Sequence, residues 1–266
     1  MTKKFLLSLQ DYKKAVELNA EAYEAYYYIG ENYYFMEKIS DAIEYYSKSY
    51  KLKPDCYECI FKRGVSYYLL KNFPSAIEDL SKVISMKPNN FRPYVLRGIC
   101  YGNQKLFTKA IEDFARAIEL NPDEYVYYNR ANCYYEIRNF QAALADLDKA
   151  IQINATYFEA FVLRGLTKAS LKKFDNAIED FNTALEMKPE FYEAYYFRGK
   201  CYHETGNMDS AIKDYSKTIE LKPDHVWAFF KRGICFGRLN EYEKANKDLN
   251  KVVELSQKYS KAMTRI

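Results

Sequence analysis

The sequence is short of the residues that build irregular chain and reactive centres. Nine glycines and seven prolines in 266 residues are few, which argues for long regular elements rather than loops. Only two histidines occur, His203 and His225, so no Ser/His/Asp or Cys/His arrangement can be built from spacing. The glycines are scattered singly, and no glycine-rich phosphate loop exists. No catalytic residue is assigned, and neither enzymatic activity nor a cofactor is expected. Of six cysteines, Cys56 and Cys59 form one C-x-x-C with no second pair and no histidine nearby, too little for a zinc centre. No metal is expected. Forty Lys+Arg against thirty-six Asp+Glu leave a net charge of +4, small for a protein that works by neutralising phosphates, so nucleic acid is not the expected partner. No run of about 18 apolar residues occurs, and charge returns early in "MTKKFLLSLQDYKK". A signal peptide and a membrane span are therefore not expected, and the reading is of a soluble, cytoplasmic protein. "NAT" at 154–156 has the form of a glycosylation sequon that means little in such a protein.

What is abundant is aromatic and periodic: 28 tyrosines and 17 phenylalanines. Gly30, Gly64, Gly98, Gly165, Gly199 and Gly233 stand 34, 34, 67, 34 and 34 residues apart, and Ala131 divides the long step into 33 and 34. Twelve residues after each comes an alanine, from Ala42 to Ala245, and four later a large apolar residue: Tyr46, Leu80, Phe114, Leu147, Phe181, Tyr215 or Leu249. Proline follows at 54, 88, 122, 189 and 223, with Ala155 and Gln257 in the other two units. In "NAIEDFNTALEMKP" the apolar residues Ala177, Ile178, Phe181, Ala184 and Leu185 share one helical face. Proline stops the helix because its ring removes a donor and clashes with the preceding turn.

This pattern resembles the tetratricopeptide repeat, a 34-residue helix-turn-helix with small residues where the helices cross. The resemblance implies an all-α, right-handed superhelical solenoid: an extra N-terminal helix over 1–20 equivalent to the second half of a unit, seven units over 21–256, and a short cap or tail over 257–266 that includes "SKAMTRI". The family's tryptophan place holds Tyr26, Ile60, Tyr94, Tyr127, Phe161, Tyr195 and Phe229, aromatic in all but one. Asn246 stands where other units carry isoleucine or leucine, which suggests that the stack ends there.

An arginine precedes the glycine column in six units: Arg63, Arg97, Arg130, Arg164, Arg198 and Arg232. Sixteen residues on stand Asp79, Asp113, Asp146, Asp180, Asp214 and Asp248. The first unit has Ile29 and Tyr45 instead, so the two places change together. Pairing with the preceding unit would set Asp11 against Ile29 and Tyr45 against Arg63. The pattern therefore predicts an Arg–Asp bridge inside each hairpin rather than an anion-gripping stripe.

In the family, first helices line the inner, concave surface. Helical spacing puts four rows there. The first is Glu24, Glu58, Arg92, Tyr125, Glu159, Glu193 and Trp227, and the second Tyr27, Phe61, Val95, Tyr128, Val162, Tyr196 and Phe230. The third is Glu31, Val65, Ile99, Asn132, Leu166, Lys200 and Ile234, and the fourth Tyr34, Tyr68, Gly102, Tyr135, Ala169, His203 and Gly237. The second row is entirely apolar or aromatic, and the first and third hold five glutamates against Arg92 and Lys200. The expected partner is an extended peptide or helix with aromatic or aliphatic anchors and basic residues. The function implied is that of a non-enzymatic protein-binding adaptor. The alternative is an architectural subunit of a large assembly that uses convex or end surfaces. RNA binding would need a basic groove, which the glutamates oppose. No first helix carries the Lys and Asn one turn apart with which some chaperone-binding members hold a C-terminal carboxylate. Self-association is left open.

Overall fold

The computed structural model describes residues 2–263, with side-chain surroundings from 8 to 258. Among the described residues all regular structure is α-helical. The chain divides into two compact units, residues 1–137 and 138–266. The first holds α1 (Thr2–Leu18), α2 (Tyr23–Phe35), α3 (Ile39–Leu52), α4 (Tyr57–Leu69), α5 (Phe73–Met86), α6 (Phe91–Asn103), α7 (Phe107–Leu120) and α8 (Glu124–Glu136). The second holds α9 (Phe140–Ile153), α10 (Phe158–Ser170), α11 (Phe174–Met187), α12 (Tyr192–Glu204), α13 (Met208–Leu221), α14 (Val226–Arg238) and α15 (Tyr242–Met263). Within each unit, successive helices pack in order as antiparallel hairpins that stack on the next, giving an all-α solenoid of helix-turn-helix repeats.

The seven turns share one device. The seventh residue after the glycine column has positive φ: Glu37, Lys71, Lys105, Arg138, Lys172, Gly206 and Asn240, with values between 57° and 82°. This left-handed residue lets the next N–H reach back five residues, as Asn72 N does to the Tyr67 carbonyl at 2.9 Å and Asn207 N to Tyr202 at 2.8 Å, closing the first helix. Asn72, Asn139 and Asn207 then cap the following helix through their side chains. Pro54, Pro88, Pro122, Pro189 and Pro223 each lie two residues past the end of a second helix. Where Ala155 replaces it, Asn154 accepts bonds from Thr156 N and Oγ1 at 3.0 and 2.8 Å, so the "NAT" triplet works as a turn. Where Gln257 replaces it, α15 runs on to Met263. "SKAMTRI" lies outside the described side chains.

The helix crossings explain the small residues. The alanine column from Ala42 to Ala211 is fully buried. A Cβ on Gly30, Gly98 or Gly199 would stand 2.7, 2.8 or 2.9 Å from the ring of Tyr46, Phe114 or Tyr215, too close for carbon atoms. The aromatic ring four places after the alanine is what demands glycine.

The arginines are built into the same crossings. Arg97 donates from Nε to Asp113 Oδ2 at 2.8 Å and from Nη2 to Oδ1 at 2.7 Å. Arg63–Asp79, Arg164–Asp180, Arg198–Asp214 and Arg232–Asp248 bridge in the same way. Arg130 and Asp146 stand in different units. Each of the five arginines also spends Nη1 on the second helix of the preceding hairpin: on Ser47, Ser81, Asp148, Asn182 and Ser216, at 2.6–3.2 Å. The guanidinium groups of Arg97, Arg198 and Arg232 lie near the rings of the tryptophan place and of the residue seven further on, Tyr94 and Tyr101 at 5.9 and 5.8 Å for Arg97, while Arg164, followed by Lys168 at that second place, has Phe161 at 5.2 Å. At Ile60, which departs from the aromatic pattern, Tyr50 of the preceding hairpin faces Arg63 at 4.9 Å instead. In the first repeat Ile29 stands in the arginine column, and Tyr45, in the aspartate column, sets its ring 6.4 and 5.2 Å from Tyr26 and Tyr33. Burial pushes the carboxyls of Asp113 and Asp214 above the ordinary value although the arginines pull them down. Without its partner such a carboxylate is a buried, unpaired charge.

Arg198→Leu is therefore expected to lower unfolding free energy by about 3 kcal/mol, the lower end for a buried pair. Asp214→Leu on that background should recover much of the loss in urea melts, and simple additivity of the two losses would exclude the coupling. A second expectation concerns His225, whose Nδ1 caps α14 by accepting from Ala228 N at 3.1 Å. Burial holds its pKa below the ordinary 6.5, so its contribution is complete above about pH 6.5 and is lost as the unfolded chain begins to take up the proton. The urea midpoint of the wild type should fall from pH 7.5 to 5.5, and that of His225→Asn, whose cap does not titrate, should fall less.

Candidate functional site

In the first unit, α2, α4, α6 and α8 lie side by side and bring together the residues predicted to bind. Glu24, Glu58 and Arg92 are exposed, and Tyr125 is 47% exposed. Tyr27, Phe61, Val95 and Tyr128 are half-buried. Phe61 and Val95 also pack on core clusters around Leu80 and Phe114. Their row is thus one side of the core rather than a freely exposed strip, because adjacent first helices meet along it. Burial, then the Glu31 carboxylate, pushes the Tyr27 hydroxyl up to about 12. Glu31 is engaged internally: Tyr46 Oη donates to one carboxylate oxygen, and Lys62 Nζ lies 2.9 Å from the other. Val65 is half-buried, Tyr34 has Lys62 over its ring, and Tyr68 packs on the Leu80 cluster. Gly102 opens a cavity of about 160 Å³ between α6 and α8, lined by Ile99, Asn103, Asn129, Asn132 and Cys133, with Tyr135 half-buried further along α8. The rows in sequence contain most of this lining but do not reveal the hollow.

In the second unit, Val162 is in the core with Phe161 and Phe181, and Leu166 and Ala169 pack against that cluster. Glu159 and Glu193 are half-buried. Tyr196 lies between His225, at 4.8 Å, and Tyr215, at 5.9 Å. Trp227 is 63% exposed and meets Phe230 edge-on at 5.9 Å. Ile234 and Gly237 are half-buried, Lys200 is exposed and His203 is buried. A larger cleft of about 520 Å³ between α12 and α13 lies off these rows, and Arg198 in its lining is already bound to Asp214 and Asn182. The arrangement offers exposed aromatic surface, side-chain-sized hollows and carboxylates.

Sequence profiles described as tetratricopeptide repeat match residues 29–91 and 162–226, 92–124 and 125–157, and 227–256. A crystal structure of MamA is 30% identical, covers 60% of this chain and 94% of its own, and has a TM-score of 0.58. A tetratricopeptide repeat protein from Parabacteroides merdae is 19% identical over 88% of this chain and 93% of its own, with a TM-score of 0.70. Cut9, in the APC/C hetero-tetramer Cut9–Hcn1, is 17% identical over 88% of this chain and 46% of the solved chain, with a TM-score of 0.65. These last two show a shared fold alone. No curated protein gave a sequence match. Among the described residues no helix is long and apolar enough to cross a membrane, and no cluster of three or more metal-ligating side chains occurs.

The cysteines are structural. Cys100, Cys133, Cys201 and Cys235 are buried, and burial lifts their thiols to about 12, 11, 11 and 11, far from the thiolate that reacts. Cys56 and Cys59 are joined as a disulfide across the start of α4. Native protein at neutral pH should take up no iodoacetamide on the four thiols, with four adducts on denaturation and six after reduction, read by intact mass.

Proposed function

This chain belongs to the tetratricopeptide repeat family, whose members are generally non-enzymatic protein-interaction modules, and we propose that it is an adaptor that binds an extended peptide or partner helix along its first helices. The observation that carries this reading is the exposure of Tyr125 and Trp227 beside the half-buried aromatic row. Large aromatic side chains left in water are the composition of a binding face. The open carboxylates Glu24 and Glu58 suit lysine or arginine on the partner, and the exposed rings of Tyr125 and Trp227 suit an aliphatic or aromatic anchor. The second reading, an architectural subunit, is favoured by a different place: Tyr242, Leu249 and Val253 of α15 are exposed.

The test replaces Phe61, Tyr128 and Phe230 with serine together and, separately, Leu249 and Val253. Loss of partner capture from a lysate of the source cell with the first variant, at preserved helical circular dichroism, supports the adaptor. Loss only with the second favours the architectural role.

A further inference from the structure

Tyr46 and Tyr215 occupy the same place in the first and sixth repeats, one in each compact unit. Their settings match closely. Each ring sets its Cδ1–Cε1 edge against the glycine of its own hairpin, Gly30 or Gly199. Each stands 5.9 Å from the tyrosine of the aromatic row, Tyr27 or Tyr196, at a similar tilt. Both are fully buried. In the first repeat the residue after the glycine is Glu31, which accepts from Tyr46 Oη and pairs with Lys62 of the next first helix. In the sixth repeat the corresponding residues are Lys200 and Lys231. The lysine partner is kept and the carboxylate is replaced by a second cation.

The consequence shows in the polar atoms. Tyr215 Oη finds no hydrogen-bond partner among the described residues, and neither does Nε2 of His203, a side chain only 8% exposed. Buried polar atoms are rarely left so. The charges around the two side chains are mixed: after burial, Arg238 and Lys231 hold His203 below its ordinary pKa, while Glu204, 3.6 Å from Nδ1, pulls the other way and adds to the rise that burial gives the Tyr215 hydroxyl. Lys200 is exposed, with its Nζ 6.0 and 5.7 Å from the ring centres of Tyr196 and Phe197.

We propose that Tyr215, Lys200, Lys231 and His203 form a receptor for an acidic side chain, an aspartate or glutamate of the segment bound along the first helices, whose carboxylate takes the part that Glu31 plays in the first repeat. The proposal rests on the adaptor reading and adds a charge requirement to it: beside Lys200 and Lys231 the bound segment presents acid. The side chain is favoured over a chain terminus because Tyr196 and Phe230, on the two helices that carry the lysines, extend the aromatic row past the place.

The full-length protein, with ¹⁵N-labelled histidine, is titrated with three capped amino acids at constant ionic strength. N-acetyl-glutamate N-methylamide carries the side-chain carboxylate, N-acetyl-alanine a terminal one, and N-acetyl-glutamine N-methylamide none. The first should shift the His203 imidazole saturably and raise its pKa, because a nearby anion favours imidazolium. Lys200→Glu should abolish that response and, by giving Tyr215 its acceptor, melt about 2–4 °C above the wild type, the shift that one such bond brings to a domain of this size. Lys231→Met should weaken the response at unchanged fold. An equal response to the neutral amide, a response confined to N-acetyl-alanine, or an undiminished response in Lys200→Glu overturns the proposal. These probes do not depend on the aromatic row, so its failure in partner capture is read separately.

Discussion

The stack depends on a guanidinium that is fully used. Each of the five arginines Arg63, Arg97, Arg164, Arg198 and Arg232 hydrogen-bonds a buried aspartate of its own hairpin through Nε and Nη2 and the hairpin before it through Nη1, with an aromatic ring nearby. One side chain thereby fixes the crossing of two helices and the seating of that pair on its predecessor. Lysine, with a single compact charge, could not do both. Because stability in a stacked array is a sum of hairpin and interface contributions, a group that serves both ties the two together.

Packing at the crossing follows the same economy of space. Where an aromatic ring follows the alanine, glycine opposite it is compulsory; the Cβ positions at Gly64 and Gly233, opposite leucines, have 3.3 and 3.4 Å to their nearest neighbours. The unit with Ala131 has Leu147 in the same column. Glycine is thus required opposite a ring and is not required opposite a leucine.

The repeat, its helices and the arginine–aspartate pairing were legible in the sequence, the last because Ile29 and Tyr45 depart together. What stayed hidden has physical causes. The third arginine bond goes to Ser47, Ser81, Asp148, Asn182 and Ser216, chemically different acceptors that spell no single motif. The left-handed turn residues were unreadable because five of the seven are Glu, Lys or Arg rather than Gly or Asn. Helical spacing put Val162 and Glu31 on the inner face, yet neighbouring helices cover the one and a tyrosine and a lysine engage the other. Periodicity gives direction around one helix and is blind to what the adjacent helix brings. The Cys56–Cys59 bridge was read only as an inadequate metal site.

Those turns have one more implication. A left-handed conformation costs a residue with a side chain roughly 1–2 kcal/mol, and at Glu37, Lys71, Lys105, Arg138 and Lys172 this is borne at the rim of the molecule, away from every crossing. The array thus carries a set of independent trimming screws: its overall robustness can drift up or down by small steps at these surface positions while the buried architecture and the first-helix face remain untouched.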